Sequence, residues 1–219
     1  MEIPASREVR IPVGREALPG SLTIPEDCHA VVLFSHGSGS SRFSSRNQQV
    51  ARYLNHLQIG TLLFDLLTPE EDRSYQNRFN IGLLTQRLTG ATRWLLGQVE
   101  AGSCRMGYFG ASTGAASALG AAAQIPAVRA VVSRGGRPDL AMEVLPQVTA
   151  PTLLIVGSLD FEVLELNRKA YERLQCEKKL EVIPGATHLF EEAGKMTEVA
   201  FLAGTWFQHH LQLQTSSFP

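Results

Sequence analysis

The sequence predicts an α/β protein, a mostly parallel sheet with helices on both faces and two antiparallel strands at its N-terminus. Three observations predict it. Apolar, β-prone runs recur along the chain at Ala30–Phe34, Thr61–Phe64, Cys104–Phe109, Val128–Val132 and Thr152–Val156. A run that is apolar at nearly every position suits a strand covered on both faces. Helical patterns separate these runs, so successive strands are joined by crossovers and lie parallel. Finally, Gly110-Ala111-Ser112-Thr113-Gly114 stands where one run gives way to the alanine-rich stretch from Ala115 to Ala123. That is a G-x-S-x-G sequence in strand-turn-helix context, the setting in which a serine hydroxyl is thrust outward.

Each element follows in order. Glu8–Val13 and Ser21–Ile24 alternate and are interrupted at Gly14 and Pro19-Gly20, which reads as two short antiparallel strands. The Ala30–Phe34 strand runs into the loop His36-Gly37-Ser38-Gly39-Ser40-Ser41. Residues 43–57 form a helix with Val50, Tyr53, Leu54 and Leu57 on one side, and Gly60 stops it before the next strand. Leu66–Phe79 is a polar connection. Ile81, Leu84, Leu88, Ala91, Trp94 and Leu95 then recur at helical spacing. After the serine turn come the Val128–Val132 strand, a short helix at Asp139–Leu145, the Thr152–Val156 strand and a helix at Glu162–Leu174. Leu180–Ile183 is the last strand and Glu191–His209 the last helix. A single domain spans 1–211, and 212–219 form a polar tail.

Composition narrows the function. The 219 residues are 44% hydrophobic and 19% charged, enough for one sizeable core. A formal net charge of −1 gives no electrostatic reason to expect nucleic acid or an anionic membrane as partner. Cys28, Cys104 and Cys176 are odd in number and include no C-x-x-C pair, which fits a reducing compartment. Met1–Glu8 lacks the apolar core of a signal peptide, and no run is long enough to span a bilayer. The expectation is a cytoplasmic protein, monomeric or a small homo-oligomer. The glycine loop after Phe34 lacks both G-x-G-x-x-G and G-K-[ST], so it does not read as a nucleotide site. No metal or cofactor is expected.

Ser112 needs a base to take its proton and an acid to orient that base. His188, in Pro184-Gly185-Ala186-Thr187-His188, lies just after the last strand. Asp160, in Gly157-Ser158-Leu159-Asp160, lies just after the Thr152–Val156 strand. All three sit at C-terminal strand ends, the edge along which ligands bind in open parallel sheets. Glu162 is the rival acid, and Asp160 also suits a helix N-cap. Donors for an oxyanion are the backbone N–H of Thr113 and one from the glycine loop, for which Ser38 is favoured. Arg42, Arg134 and Arg137 lie near this edge and suit either a substrate carboxylate or loop anchoring. His36 reads as a structural residue holding the glycine loop, and Asp65 as a loop-shaping one. His29, His56, His209 and His210 read as surface or packing residues, and Cys104 as a small buried hydrophobe.

These residues resemble the α/β-hydrolase superfamily, most of all its dienelactone-hydrolase-like branch in forms with a serine nucleophile. The resemblance runs from the His36–Arg42 loop to Ala186-Thr187-His188. It implies an α/β-hydrolase fold with Ser112 as nucleophile, Asp160 as acid, His188 as base, and Ser38 and Thr113 N–H groups as the oxyanion hole. It implies hydrolysis of small esters or lactones. True dienelactone hydrolases carry cysteine where this chain has Ser112. Retained fold without turnover, or acyl transfer or perhydrolysis at the same serine, are the alternatives. Only about 18 residues lie between Ser133 and Thr152, where a cap would be inserted, so no sizeable lid is expected.

Overall fold

The computed structural model describes residues 5–98, 101 and 103–211. Its strands are β1 (Arg7–Val13), β2 (Glu16–Thr23), β3 (Ala30–Ser35), β4 (Gly60–Phe64), β5 (Arg105–Ala111), β6 (Val128–Arg134), β7 (Thr152–Gly157) and β8 (Lys178–Ile183). Its helices are α1 (Ser45–His56), α2 (Pro69–Asp72), α3 (Ile81–Leu96), α4 (Thr113–Ala122), α5 (Phe161–Arg173) and α6 (Lys195–Leu211). The strands form one sheet in the order β1-β2-β4-β3-β5-β6-β7-β8. β1 and β2 pair antiparallel, as do β2 and β4, and every later pair is parallel.

Strand periodicity sorts side chains onto two faces. From β3, Val31 and Leu33 join a core with Leu84 and Leu88 of α3 and Leu119 of α4. Ala30, Val32 and Phe34 of the same strand join the opposite core with Leu54 of α1 and Val199 and Phe207 of α6. All six residues of β3 are buried, and so are all six of β7. Two apolar layers therefore hold the central strands rigidly, and their C-terminal ends become a fixed platform for loops.

Four local expectations are corrected. β2 does not break at Pro19-Gly20: Pro19 faces Arg10 and Gly20 faces Val9 in register with β1. The β2–β4 ladder begins at Gly20 opposite Phe64, so the N–H that proline lacks lies outside that ladder. The short helix at Asp139–Leu145 is instead two 3-10 turns, Pro138–Ala141 and Leu145–Gln147, each with a proline in its first two positions. The last helix starts at Lys195, because Phe190 (φ 56°) and Gly194 (φ 80°) hold the preceding chain out of helical geometry. The Leu66–Phe79 connection contains α2, whose Thr68 and Glu71 form a reciprocal capping box, and a 3-10 turn at Asn77–Phe79. The expected polar tail, 212–219, lies outside the described residues. No described helix is long and apolar enough to cross a membrane. The segment between β6 and β7 holds only the two 3-10 turns, and among the described residues no sizeable cap covers the sheet edge.

Candidate active site

Ser112 joins β5 to α4 at φ 51° and ψ −122°, a backbone conformation that non-glycine residues rarely adopt. It stands at the N-cap position of α4, yet its side chain makes no capping bond. The strain is fixed from three sides. Ser112 N–H donates to the Arg134 carbonyl at 3.3 Å, and its own carbonyl accepts from Ala115 and Arg137 N–H groups, each at 3.0 Å. The flanking glycines leave room for the turn. A Cβ at Gly110 would lie 2.5 Å from Ala115 Cα, and one at Gly114 would overlap the Ser35 carbonyl oxygen. The hydroxyl is thus held outward at the N-terminus of α4, where exposed N–H groups favour negative charge.

Asp160 and His188 come together on neighbouring strand ends. His188 Nδ1 and Asp160 Oδ2 are 2.6 Å apart, with the His188 side chain 37% exposed and the Asp160 side chain 14%. Asp160, not Glu162, therefore meets the imidazole. Backbone bonds lace the two loops: Ser158 N–H to Ile183 O at 2.9 Å and Leu159 N–H to Ala186 O at 3.0 Å. Ser158 Oγ in turn accepts from Gly185 N–H at 2.8 Å. Beyond the histidine, Phe190 is 1% exposed and anchors the loop in the core. Glu192 accepts from Thr187 Oγ1 at 2.6 Å, and this bond holds its carboxyl below the ordinary range.

The loop after β6 links His188 and Ser112. Gly135 adopts φ 50°, and a Cβ there would lie 3.0 Å from the His188 carbonyl oxygen and 3.6 Å from His188 Cε1. Arg134 and Arg137, which bracket Gly135-Gly136, are bonded to the Ser112 backbone. One four-residue stretch, 134–137, thereby touches both Ser112 and His188.

The glycine loop departs from expectation. Ser38 N–H, expected to open into the cleft, instead donates to Thr113 Oγ1 at 2.9 Å. Gly37 is the loop residue set against Ser112: a Cβ there would be 3.0 Å from Ser112 Cβ and 3.2 Å from the Ala111 carbonyl oxygen. The reason is geometric, since the turn at Gly37 brings its own backbone to Ser112 and directs the next amide at the first residue of α4.

His36 holds this loop as expected. Its Nδ1 donates to the Gly37 carbonyl at 3.0 Å and its Nε2 accepts from Leu66 N–H at 3.1 Å, which fixes a neutral ring with both nitrogens used. Burial lowers its pKa, against smaller opposing effects of the Gly37 carbonyl, Asp65 and Asp72. The consequence for stability has a definite sign. Below the unfolded-state value of about 6.5 the unfolded chain takes up a proton that the folded chain refuses. Stability present above pH 6.5 is then lost as the pH falls toward the folded-state pKa, at up to about 1.4 kcal/mol per pH unit from this one group. Urea unfolding between pH 8 and pH 5 should show this slope, and His36→Gln should flatten it. Equal slopes for the two proteins would assign the pH dependence elsewhere.

The arginines are less available than their positions suggested. Arg42 meets Asp65 through its Nη1 at 2.5 Å and its backbone N–H at 2.8 Å, and its guanidinium lies over Phe43. Arg137 forms a two-pronged pair with Asp139, both contacts at 2.9 Å, which raises its pKa. Of the two roles expected for them, substrate carboxylate binding or loop anchoring, both are engaged in loop anchoring. Arg134 is buried, pushed down to about 10 first by desolvation and then by Arg46. Its Nη2 reaches Asn47 Oδ1 at 3.5 Å. A residue that the sequence reading passed over is Arg78, gripped by Asp72 through Nε and Nη2. It shares a small cleft with Gly37, Ser38, Gly39 and Thr113. The larger groove, about 1030 Å³, runs between α3 and residues 139–144 and is lined by none of Ser112, Asp160 and His188.

An open, mostly parallel sheet of eight strands with a serine elbow between β5 and α4 defines an α/β-hydrolase. Comparison with known proteins narrows the class. No protein-family model matches the chain. A dienelactone hydrolase from Anabaena variabilis of known structure is 52% identical, with a TM-score of 0.94 over 96% of this chain and 100% of that one. The chain belongs to the dienelactone-hydrolase-like family. A Pyrococcus furiosus esterase at 17% identity and TM-score 0.80, covering 95% of this chain and 92% of its own, shares the fold. Mycobacterium tuberculosis proteins provisionally named phosphoribosyl transferases are 55% identical over 205 residues, which is 93% of this chain. The chain spans about half, 46%, of their length.

Proposed function

We propose that this chain is a serine hydrolase of small carboxylic esters or lactones. The observation that carries the reading is the 2.6 Å contact of His188 Nδ1 with Asp160 Oδ2, on the same sheet edge as a strained Ser112 whose hydroxyl caps nothing. With Nδ1–H donated to the carboxylate, Nε2 is the nitrogen left to act as base. It takes the Ser112 proton as Oγ attacks the substrate carbonyl carbon. The N–H groups of Thr113 and of the glycine loop stabilise the resulting oxyanion. Collapse breaks the ester C–O bond, and His188 returns the proton to the departing alkoxide. Water, deprotonated in turn by His188, attacks the acyl-Ser112 ester and releases the acid. For a lactone the leaving alcohol stays tethered to the acyl group.

Small substrates fit the lack of a lid. Leu66, Leu67, Asp72 and Arg78 of the β4–α3 connection form one wall of the cleft beside the glycine loop. The transferase name belongs to proteins more than twice the length of this chain, and acyl chemistry at Ser112 does not depend on it. The test is a panel of short p-nitrophenyl esters, lactones and thioesters, with acceptor alcohols, thiols and peroxide added in parallel. Turnover in water alone is the expected result. Inertness across the panel, together with no labelling by a fluorophosphonate, would leave a binding protein on a hydrolase fold. Product formed only with an added acceptor would make it an acyltransferase or perhydrolase.

A further inference from the structure

We propose that the Thr113 hydroxyl is a positioning clamp that sets the two halves of the oxyanion hole, an inference that rests on the acyl-transfer reading above. The hole is built from two elements that lie far apart in sequence. One donor, Thr113 N–H, belongs to α4. The other, on the glycine loop, belongs to a segment with Gly37 and with Gly39 at φ 69°. An oxyanion is stabilised only if both donors already stand at hydrogen-bond distance from the place where charge develops. A glycine-containing loop does not hold such a position by its own backbone preferences.

To the hold that His36 has on Gly37, the structure adds a restraint at Ser38. Ser38 N–H donates to Thr113 Oγ1 at 2.9 Å, across 75 residues of sequence, and Thr113 is 2% exposed. Deeper in the same interface, Ser35 Oγ and Ser117 Oγ meet at 2.7 Å, joining the end of β3 to α4. The Ser38–Thr113 bond carries that fixation upward to the loop itself. Thr113 is well suited to the task. As a β-branched residue in the first turn of α4 it has restricted χ1 freedom, so Oγ1 is held where Ser38 needs it. Its backbone N–H and its side chain then act together: the first is one donor, and the second fixes the loop that bears the other. Gly37 stands beside Ser38 and against Ser112 Cβ, so holding the Ser38 amide also holds Gly37.

The test compares Thr113→Val, which keeps the branched shape and loses the acceptor, with Thr113→Ser, which keeps the acceptor. Steady-state hydrolysis of a short p-nitrophenyl ester and the rate of fluorophosphonate acylation are measured beside Tm. Thr113→Val is expected to lower kcat roughly 10- to 100-fold with KM nearly unchanged and with a matching loss of acylation rate. Thr113→Ser should recover most of both. If Thr113→Val does not fold, Thr113→Ala set against Thr113→Ser makes the same comparison. An unimpaired kcat in the valine variant, or a serine variant as impaired as the valine one, overturns the clamp while the hydrolase reading stands. A wild-type protein that neither turns over nor labels overturns both.

Discussion

Ser112→Ala is expected to abolish fluorophosphonate labelling and to lower ester turnover by about 10⁴-fold or more, with Tm unchanged within a few degrees. In the proposed mechanism Ser112 Oγ forms the covalent bond, and alanine offers no atom in its place. His188→Ala should fall by a comparable factor, because members of a nucleophile–base pair act as a unit and their losses do not add. Asp160→Asn should fall less than either. An amide in contact with His188 Nδ1 at 2.6 Å keeps the ring in place, but it favours the wrong tautomer and does not stabilise the imidazolium. Gel fluorescence and initial rates check the series. Equal labelling of wild type and Ser112→Ala would remove Ser112 as the nucleophile.

Gly114→Ala is the second large effect, and it acts on folding. An added Cβ would collide with the Ser35 carbonyl oxygen and lie 2.6 Å from both the Ser35 carbonyl carbon and the His36 carbonyl oxygen. These are backbone atoms at the end of a fully buried strand, so they do not swing aside as a flexible side chain would. Forcing extra volume into such a contact costs on the order of 3 kcal/mol. For a domain of this size that is a fall in Tm of roughly 6–12 °C. Gly82→Ala provides the control. Its nearest neighbour, Asn80 Oδ1, is 3.5 Å away, and alanine is the better helix former, so that variant should be neutral or slightly more stable. A melt for Gly114→Ala that matches wild type would show that β3 and α4 separate freely. In that case Gly114 would not set the shape of the elbow.

Much of the fold could be read directly from residue patterns. The buried runs of β3, β4, β5, β6 and β7 are apolar because both faces are covered, and their composition alone marks them as strands. Turn chemistry was harder to read. Pro19 looked like a strand end because proline lacks an N–H, but whether that N–H is needed depends on where the neighbouring ladder begins. The start of α6 is not legible because Phe190 adopts positive φ, a conformation that its residue type does not signal. In the site, Asp160 and His188 were legible from their places after strands. The Ser38–Thr113 bond and the pairing of Arg42 with Asp65 were not, since each joins residues distant in sequence through side-chain geometry. Arg78 was hidden in a connection whose only local signal was the Thr68–Glu71 capping box.

The lacing of the loops after β7 and β8 has a consequence for motion. Leu159 is bonded to Ala186, Ser158 to Ile183, and Gly185 to Ser158 Oγ, so the segments bearing Asp160 and His188 form one mechanical body. A displacement of either loop is therefore resisted by the other, and the 2.6 Å contact of Asp160 with His188 is held by backbone bonds as well as by the two side chains.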